Sequence, residues 1–120
     1  MDDTEIEILR LPVSIGHLRS MAAASFGDLV KAVVDVERGV MAVGGGMHAD
    51  EEAALLDLGS RQPDLWGINL YPDLFGSPGF VEFDSMINLR PALGNRSRSV
   101  EDAGLRERIV HVLEALVTGG

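Results

Sequence analysis

Two acidic side chains in the stretch FVEFDSMINLRP are of the type that binds metal ions or activates water. Glu82 and Asp84 alternate with apolar residues, and alternate side chains of a β-strand point to the same face. The two carboxylates are then roughly 6.5–7 Å apart along the strand. Asn88 and Arg90 continue the same face. This pattern predicts either a metal or substrate site or an ordinary solvated face of an antiparallel sheet.

A histidine and a further acid stand where a run of glycines leads into a predicted helix. His48 and Asp50 follow the glycines at 44–46, and such nitrogen and oxygen ligands suit a divalent cofactor ion, Mg²⁺ or Mn²⁺. With Glu82 and Asp84 they predict a metal-dependent hydrolase of phosphate esters, in which an arginine stabilises the leaving phosphate. The alternative is that acids in a first helical turn complement the helix dipole, since no Glu-x-x-His or His-x-x-x-His pair is present.

The loop after Pro91 is rich in residues that bind anions. Glycine and asparagine allow positive φ angles, and serine and arginine donate hydrogen bonds to phosphate or carboxylate oxygens. The alternative is that these arginines pair with the surplus carboxylates of the chain itself. The predicted site for a small anionic or polar ligand consists of Asn88, Arg90, Asn95, Arg96, Ser97 and Arg98.

Length and composition predict one domain over residues 1–120. The hydrophobic content of 46% is ordinary for a globular protein. A net charge of −9 argues against a general nucleic-acid binder, because neutralising phosphates requires a surplus of lysine and arginine. Without cysteine the chain has no disulfide, no thiolate zinc site and no thiol nucleophile.

The two ends of the chain carry weaker predictions. Residues 1–13 are acidic and then apolar, which indicates an edge strand or a loosely held arm, and residues 118–120 are predicted to be a frayed tail. The acidic start differs from a signal peptide, and no apolar run approaches the ~18 residues that span a bilayer. A cytoplasmic protein with no membrane association is therefore expected.

The pattern of apolar residues predicts three helices and two β-hairpins in the order αββαββα. A two-layer α+β domain follows, with a mainly antiparallel four-stranded sheet and all helices packed on one face. The other face is then open to water, a ligand or a second subunit. The helices are predicted at about 15–26, 47–58 and from a cap at Ser99 or Asp102 to 117, and the strands at 30–36, 40–43, 65–71 and 80–90.

Several long strings of the chain resemble a small bacterial family known only as a domain of unknown function. These strings are HADEEAALLDLGSRQPDLWGINLYPD, VEFDSMINLRP, GNRSR and VED. The likeness runs from about residue 26 to 116. It implies a free-standing single domain of this size, and it supplies no activity, cofactor or catalytic residue.

The residues favour a binding or interaction domain and leave enzymatic activity undecided. One hypothesis is a small anionic ligand held by the arginine-rich loop, and the alternative is the metal-dependent hydrolase. A third hypothesis is a homodimer in which Glu82 and Asp84 of one subunit meet arginines of the other across a two-fold axis.

Overall fold

The computed structural model describes residues 6–119, with ten regular elements and short 3₁₀ turns between α2 and α3. The beginning of the predicted arm, at 1–5, and the last residue of the predicted frayed tail lie outside the described residues. The helices are α1 (Ile15–Ala23), α2 (His48–Asp57) and α3 (Ala103–Leu116). The strands are β1 (Glu7–Leu9), β2 (Val13–Ser14), β3 (Val30–Asp35), β4 (Val40–Val43), β5 (Leu65–Leu70), β6 (Val81–Glu82) and β7 (Val117–Thr118).

The main sheet is antiparallel and has five strands in the order β1-β4-β3-β5-β6. The predicted hairpin of β3 and β4 is confirmed: Gly39 has a φ of 70°, and its N–H donates to the carbonyl of Asp35 at 2.9 Å. The fifth strand is β1, which pairs with β4 at the edge, so the predicted number of four was too low. A separate parallel pair joins β2 to β7.

Helices cover both faces of the sheet, and the prediction of a single covered face was wrong. One apolar cluster joins α1 and α3 to a sheet face that includes Ala32 and Val34. Leu55 of α2 packs on the opposite face, against Val33 and neighbouring apolar residues. The central strands β3 and β5 are therefore almost entirely buried, as expected for strands covered on both faces.

Two of the helices begin at side-chain caps that the sequence predicts. The hydroxyl of Ser14 accepts from the N–H of His17 at 3.2 Å at the start of α1. Of the two caps considered for the last helix, Asp102 is the one used, and its carboxylate accepts from the N–H of Leu105 at 2.8 Å.

The predicted strand over residues 80–90 is only two residues long. β6 pairs with β5 through Glu82 opposite Asn69 and Val81 opposite Leu70, and the chain then leaves the sheet. It forms a 3₁₀ turn at Met86–Asn88. The polar and apolar residues of this stretch do alternate, but Asn88 is buried in the 3₁₀ turn and does not lie on an exposed strand face.

Candidate functional site

His48 lies at the start of α2 and faces the sheet. Its Nε2 is 2.8 Å from the carbonyl oxygen of Ile68, and since a carbonyl can only accept, this nitrogen carries the proton. The residue is 9% exposed, and burial lowers the pKa of the imidazole below its ordinary value of 6.5. The ring is therefore neutral at neutral pH, with the lone pair on Nδ1.

Asn69 on β5 is the residue around which the neighbouring polar groups gather. The strand register places it opposite Lys31 of β3 on one side and Glu82 of β6 on the other. Its Nδ2 donates to Oε1 of Glu82 at 2.9 Å and to the backbone oxygen of Asp84 at 3.3 Å. Its Oδ1 is buried and has no hydrogen-bond partner among residues 6–119.

Tyr71 and Arg98 complete the outer rim of this region. The hydroxyl of Tyr71 donates to Oε1 of Glu82 at 2.9 Å, and burial together with this bond raises the pKa of the phenol. Nε of Arg98 donates to Oδ1 of Asp84 at 2.7 Å. The side chains of this ion pair are 54% and 42% exposed, so the pair lies at the surface.

These residues form a group that we name the Asn69 cluster: His48, Asn69, Tyr71, Glu82 and Asp84. It contains three of the four residues predicted to bind a metal ion: Glu82 and Asp84 contact Asn69, and His48 bonds to the carbonyl of the adjacent Ile68. The fourth, Asp50, is exposed on α2. Within residues 6–119 no group of three or more His, Asp or Glu residues is arranged to hold a metal ion.

The arginine-rich loop uses most of its predicted ligand-binding side chains to hold its own backbone. The two hydrogens of Nδ2 of Asn95 are shared among the carbonyls of Asn88, Ser97 and Ser99, and its Oδ1 accepts from the N–H of Glu101 at 2.9 Å. The hydroxyl of Ser97 accepts from the N–H of Ser99. Arg96 remains exposed in the same loop.

Arg90 is buried in an ion pair and does not face the loop. Its Nη2 donates to Oε2 of Glu52 at 3.0 Å, and the two side chains are only 9% and 14% exposed. The guanidinium carbon lies 4.8 Å from the ring centre of Trp66, within the range of a cation–π contact. Burial lowers the pKa of Arg90, and Nη1 has no partner among the described residues.

Glu51 is a buried acid in the first turn of α2. It is fully buried, its Oε2 accepts from the N–H of Gly45 at 2.9 Å, and burial raises its pKa to about 9. The signal was its spacing, because residues 48, 51 and 55 fall on one helical stripe and all three are buried. At neutral pH this carboxyl is therefore protonated.

The fold and the cluster define an α+β domain with a buried polar centre on one sheet face. The chain matches the family described as "Protein of unknown function (DUF5674)" over residues 7–116, and it belongs to that family. No curated protein and no solved structure matches the chain. In the described part of the chain, no helix has the length and apolar character needed to cross a bilayer.

Proposed function

We propose that the protein is a small binding domain whose ligand site is the Asn69 cluster. The observation that carries the proposal is the Asn69 side chain, which is 6% exposed and leaves Oδ1 without a hydrogen-bond partner among the described residues. A buried acceptor without a partner costs about 1–3 kcal/mol. A ligand that donates a hydrogen bond to this oxygen recovers that free energy on binding.

The rim of the cluster supports the proposal because it can open at low cost. Asp84 contacts Asn69 through its backbone oxygen, while its side chain holds Arg98 in a half-exposed ion pair. Exposed ion pairs contribute only about 0–1 kcal/mol. A ligand can therefore separate the pair and reach the carboxylate of Asp84 at little cost.

An anion site in the arginine-rich loop has less support than the Asn69 cluster. Asn88, Asn95 and Ser97 use their polar atoms to close the loop, and Arg90 is paired with Glu52. The proposal therefore places the ligand beside the loop, at the point where Arg98 reaches the cluster.

A metal-dependent hydrolase of phosphate esters is the second candidate, and the position of His48 favours it. A neutral imidazole with its lone pair on Nδ1 is a metal ligand or a general base. His48, Glu82 and Asp84 would hold the ion, and the ion would activate water. This candidate requires the two carboxylates to turn away from Tyr71 and Arg98, which they contact in the present structure.

The test is an NMR titration of ¹⁵N-labelled, chelator-treated protein with agmatine, acetamide, inorganic phosphate and Mg²⁺, added singly. The proposal predicts that at least one probe shifts the amides of 68–71 and 82–84, and that Glu82→Gln weakens this response. The matched control is Asp73→Asn, an exposed acid paired with Arg19 outside the cluster. Shifts confined to 94–98, or no shift with any probe, would show that the proposal is wrong.

Two further results separate the remaining hypotheses. A Mg²⁺ response at 82–84 that disappears in Asp84→Asn would favour the metal site that the hydrolase requires. Sedimentation of the same samples tests the predicted homodimer, for which a single monomeric species at micromolar concentration and low salt is the contrary result.

A further inference from the structure

The free polar atoms of the Asn69 cluster are hydrogen-bond acceptors. Oδ1 of Asn69 has no partner within residues 6–119, and Nδ1 of the neutral His48 ring carries a lone pair. Asn69 and Tyr71 both donate to the same carboxylate oxygen of Glu82, which is Oε1. An incoming group that carries several N–H donors is therefore the complementary ligand.

The charges around the cluster favour a cation. Burial and the bond to Glu82 raise the pKa of Tyr71, and the negative charges of Asp28 and Asp84 act on the phenol in the same direction. The charges of Glu82, Asp84 and Asp28 thus act on Tyr71 in a chain whose net charge is −9, while the positive charge of Lys31, which lies opposite Asn69 in the sheet, acts on His48. The ammonium of Lys31 lies 5.3 Å from the ring centre of Phe26, within the range of a cation–π contact.

Arg98 already places a guanidinium on the cluster. Its Nε donates to Oδ1 of Asp84 at 2.7 Å, so this carboxylate binds an organic cation in the structure itself. Both side chains of the pair are about half exposed, which makes the contact weak and replaceable. Arg98 therefore acts as an internal competitor for any external cation at the same carboxylate.

We propose that the ligand of the Asn69 cluster is a small organic cation, a primary ammonium or a guanidinium, that displaces Arg98 from Asp84 and donates hydrogen bonds to Asn69 and Glu82. This inference rests on the proposed binding function. Because Oδ1 of Asn69 lies below the surface, the donor group must be slender and must stand at the end of a small molecule.

The sharpest variant is Arg98→Ala, measured by calorimetric titration with agmatine. Removing the internal competitor should raise the affinity by about twofold to fivefold, the value of an exposed ion pair. The loop should keep its fold, because Ser85 and Asn88 contact the backbone carbonyl of Arg98 and not its side chain. A thermal melt of the variant checks this.

The matched control is Arg19→Ala, since Arg19 is 53% exposed and forms an ion pair outside the cluster. It removes the same charge and should change the affinity for agmatine by less than about twofold. Glu82→Gln should lower the affinity by about tenfold, because a charged acceptor becomes a neutral one. Added salt should weaken binding to the wild-type protein.

The outcomes separate this inference from the function on which it rests. If phosphate or acetamide binds the cluster and agmatine does not, the cationic ligand is wrong and the binding function stands. If agmatine binds and Arg98→Ala weakens that binding, the displacement of Arg98 from Asp84 is wrong. If no probe binds, both are wrong.

The peptide N-acetyl-Gly-Arg-Gly-amide carries the same guanidinium on a polypeptide. Tighter binding of this peptide than of agmatine would contradict the assignment to a small molecule.

Discussion

Asn88 and Gly67 exchange two hydrogen bonds in the manner of residues on neighbouring strands. The N–H of Gly67 donates to Oδ1 of Asn88 at 2.8 Å, and Nδ2 of Asn88 donates to the carbonyl of Gly67 at 2.9 Å. Because β6 ends at Glu82, this amide side chain takes the place of the missing strand beside β5. A third bond, from Nδ2 to the carbonyl of Arg98 at 3.0 Å, fastens the arginine-rich loop to the same point.

The first prediction is that Asn88→Ala strongly destabilises the domain. The substitution leaves the buried N–H and C=O of Gly67 without partners, and each such group costs about 1–3 kcal/mol. We expect a loss of about 3 kcal/mol or more in the free energy of unfolding, measured by urea denaturation. The control Gln62→Ala changes an exposed side chain and should stay within about 0.5 kcal/mol of the wild type. Equal stability of the two variants would contradict the role of Asn88.

The second prediction concerns the close approach of Ser85 to Gly67. A Cβ at position 67 would lie 2.6 Å from Cβ and Oγ of Ser85, and the N–H of Ser85 is itself held by the carbonyl of Arg98. We expect Gly67→Ala to lower the free energy of unfolding by about 1–3 kcal/mol through overpacking. Gly16→Ala is the matched control, because its Cβ would meet only Oγ of Ser14 at 3.6 Å. That helix substitution should stabilise by about 0.5–1 kcal/mol, and stabilisation by both would refute the argument.

The helices and the first hairpin could be predicted from the sequence because their signals are local. Apolar spacing and capping residues lie within one turn of the structure they specify, as Ser14 and Asp102 illustrate. The true length of the strand predicted over 80–90 could not be derived from local signals. Its alternating polarity is real, but Asn88 is buried through bonds to Gly67, a residue 21 positions away. Sequence alternation reports polarity and not the partner of each polar group.

The residues of the candidate site could likewise be predicted from the sequence only in part. The sequence selected His48, Glu82 and Asp84 by residue type. The central role of Asn69 follows from its register opposite Glu82, which tertiary pairing decides. In the arginine-rich loop the residue types leave two roles open, because asparagine and serine close loops with the same hydrogen bonds that bind anions. The side chain of Asn95 forms hydrogen bonds of this kind within the loop.

The third prediction compares a buried ion pair with an exposed one. Glu52→Gln leaves the guanidinium of Arg90 charged and only 9% exposed, and we expect a loss of about 2–3 kcal/mol in the free energy of unfolding. Asp73→Asn breaks the ion pair with Arg19. Because the Asp73 side chain is 83% exposed, this should cost less than about 0.5 kcal/mol in the free energy of unfolding. Chemical denaturation of both variants measures the difference. Similar losses would mean that the burial of Arg90 has little energetic consequence.

The fourth prediction is a pH dependence of stability that originates in Glu51. Burial raises the pKa of this carboxyl from its ordinary value of 4.5 to about 9 in the folded protein. Between these values the folded state holds one proton more than the unfolded state. The free energy of unfolding therefore falls as the pH rises through this range, by up to about 1.36 kcal/mol per pH unit. Below the unfolded pKa this loss is absent, because both states are protonated.

Glu51→Gln removes the titration and keeps the shape of the side chain, so its stability should fall less steeply than that of the wild type. Urea denaturation at about pH 5, 7 and 9 should show that the free energy of unfolding of the variant, relative to that of the wild type, increases at each step. Glu114→Gln changes an exposed acid on α3 and should retain the wild-type slope. Parallel curves for the wild type and Glu51→Gln would mean that the folded protein ionises Glu51 freely. The hydrogen bond from Gly45 would then hold a carboxylate, and the interior beneath α2 would be more polar than its burial indicates.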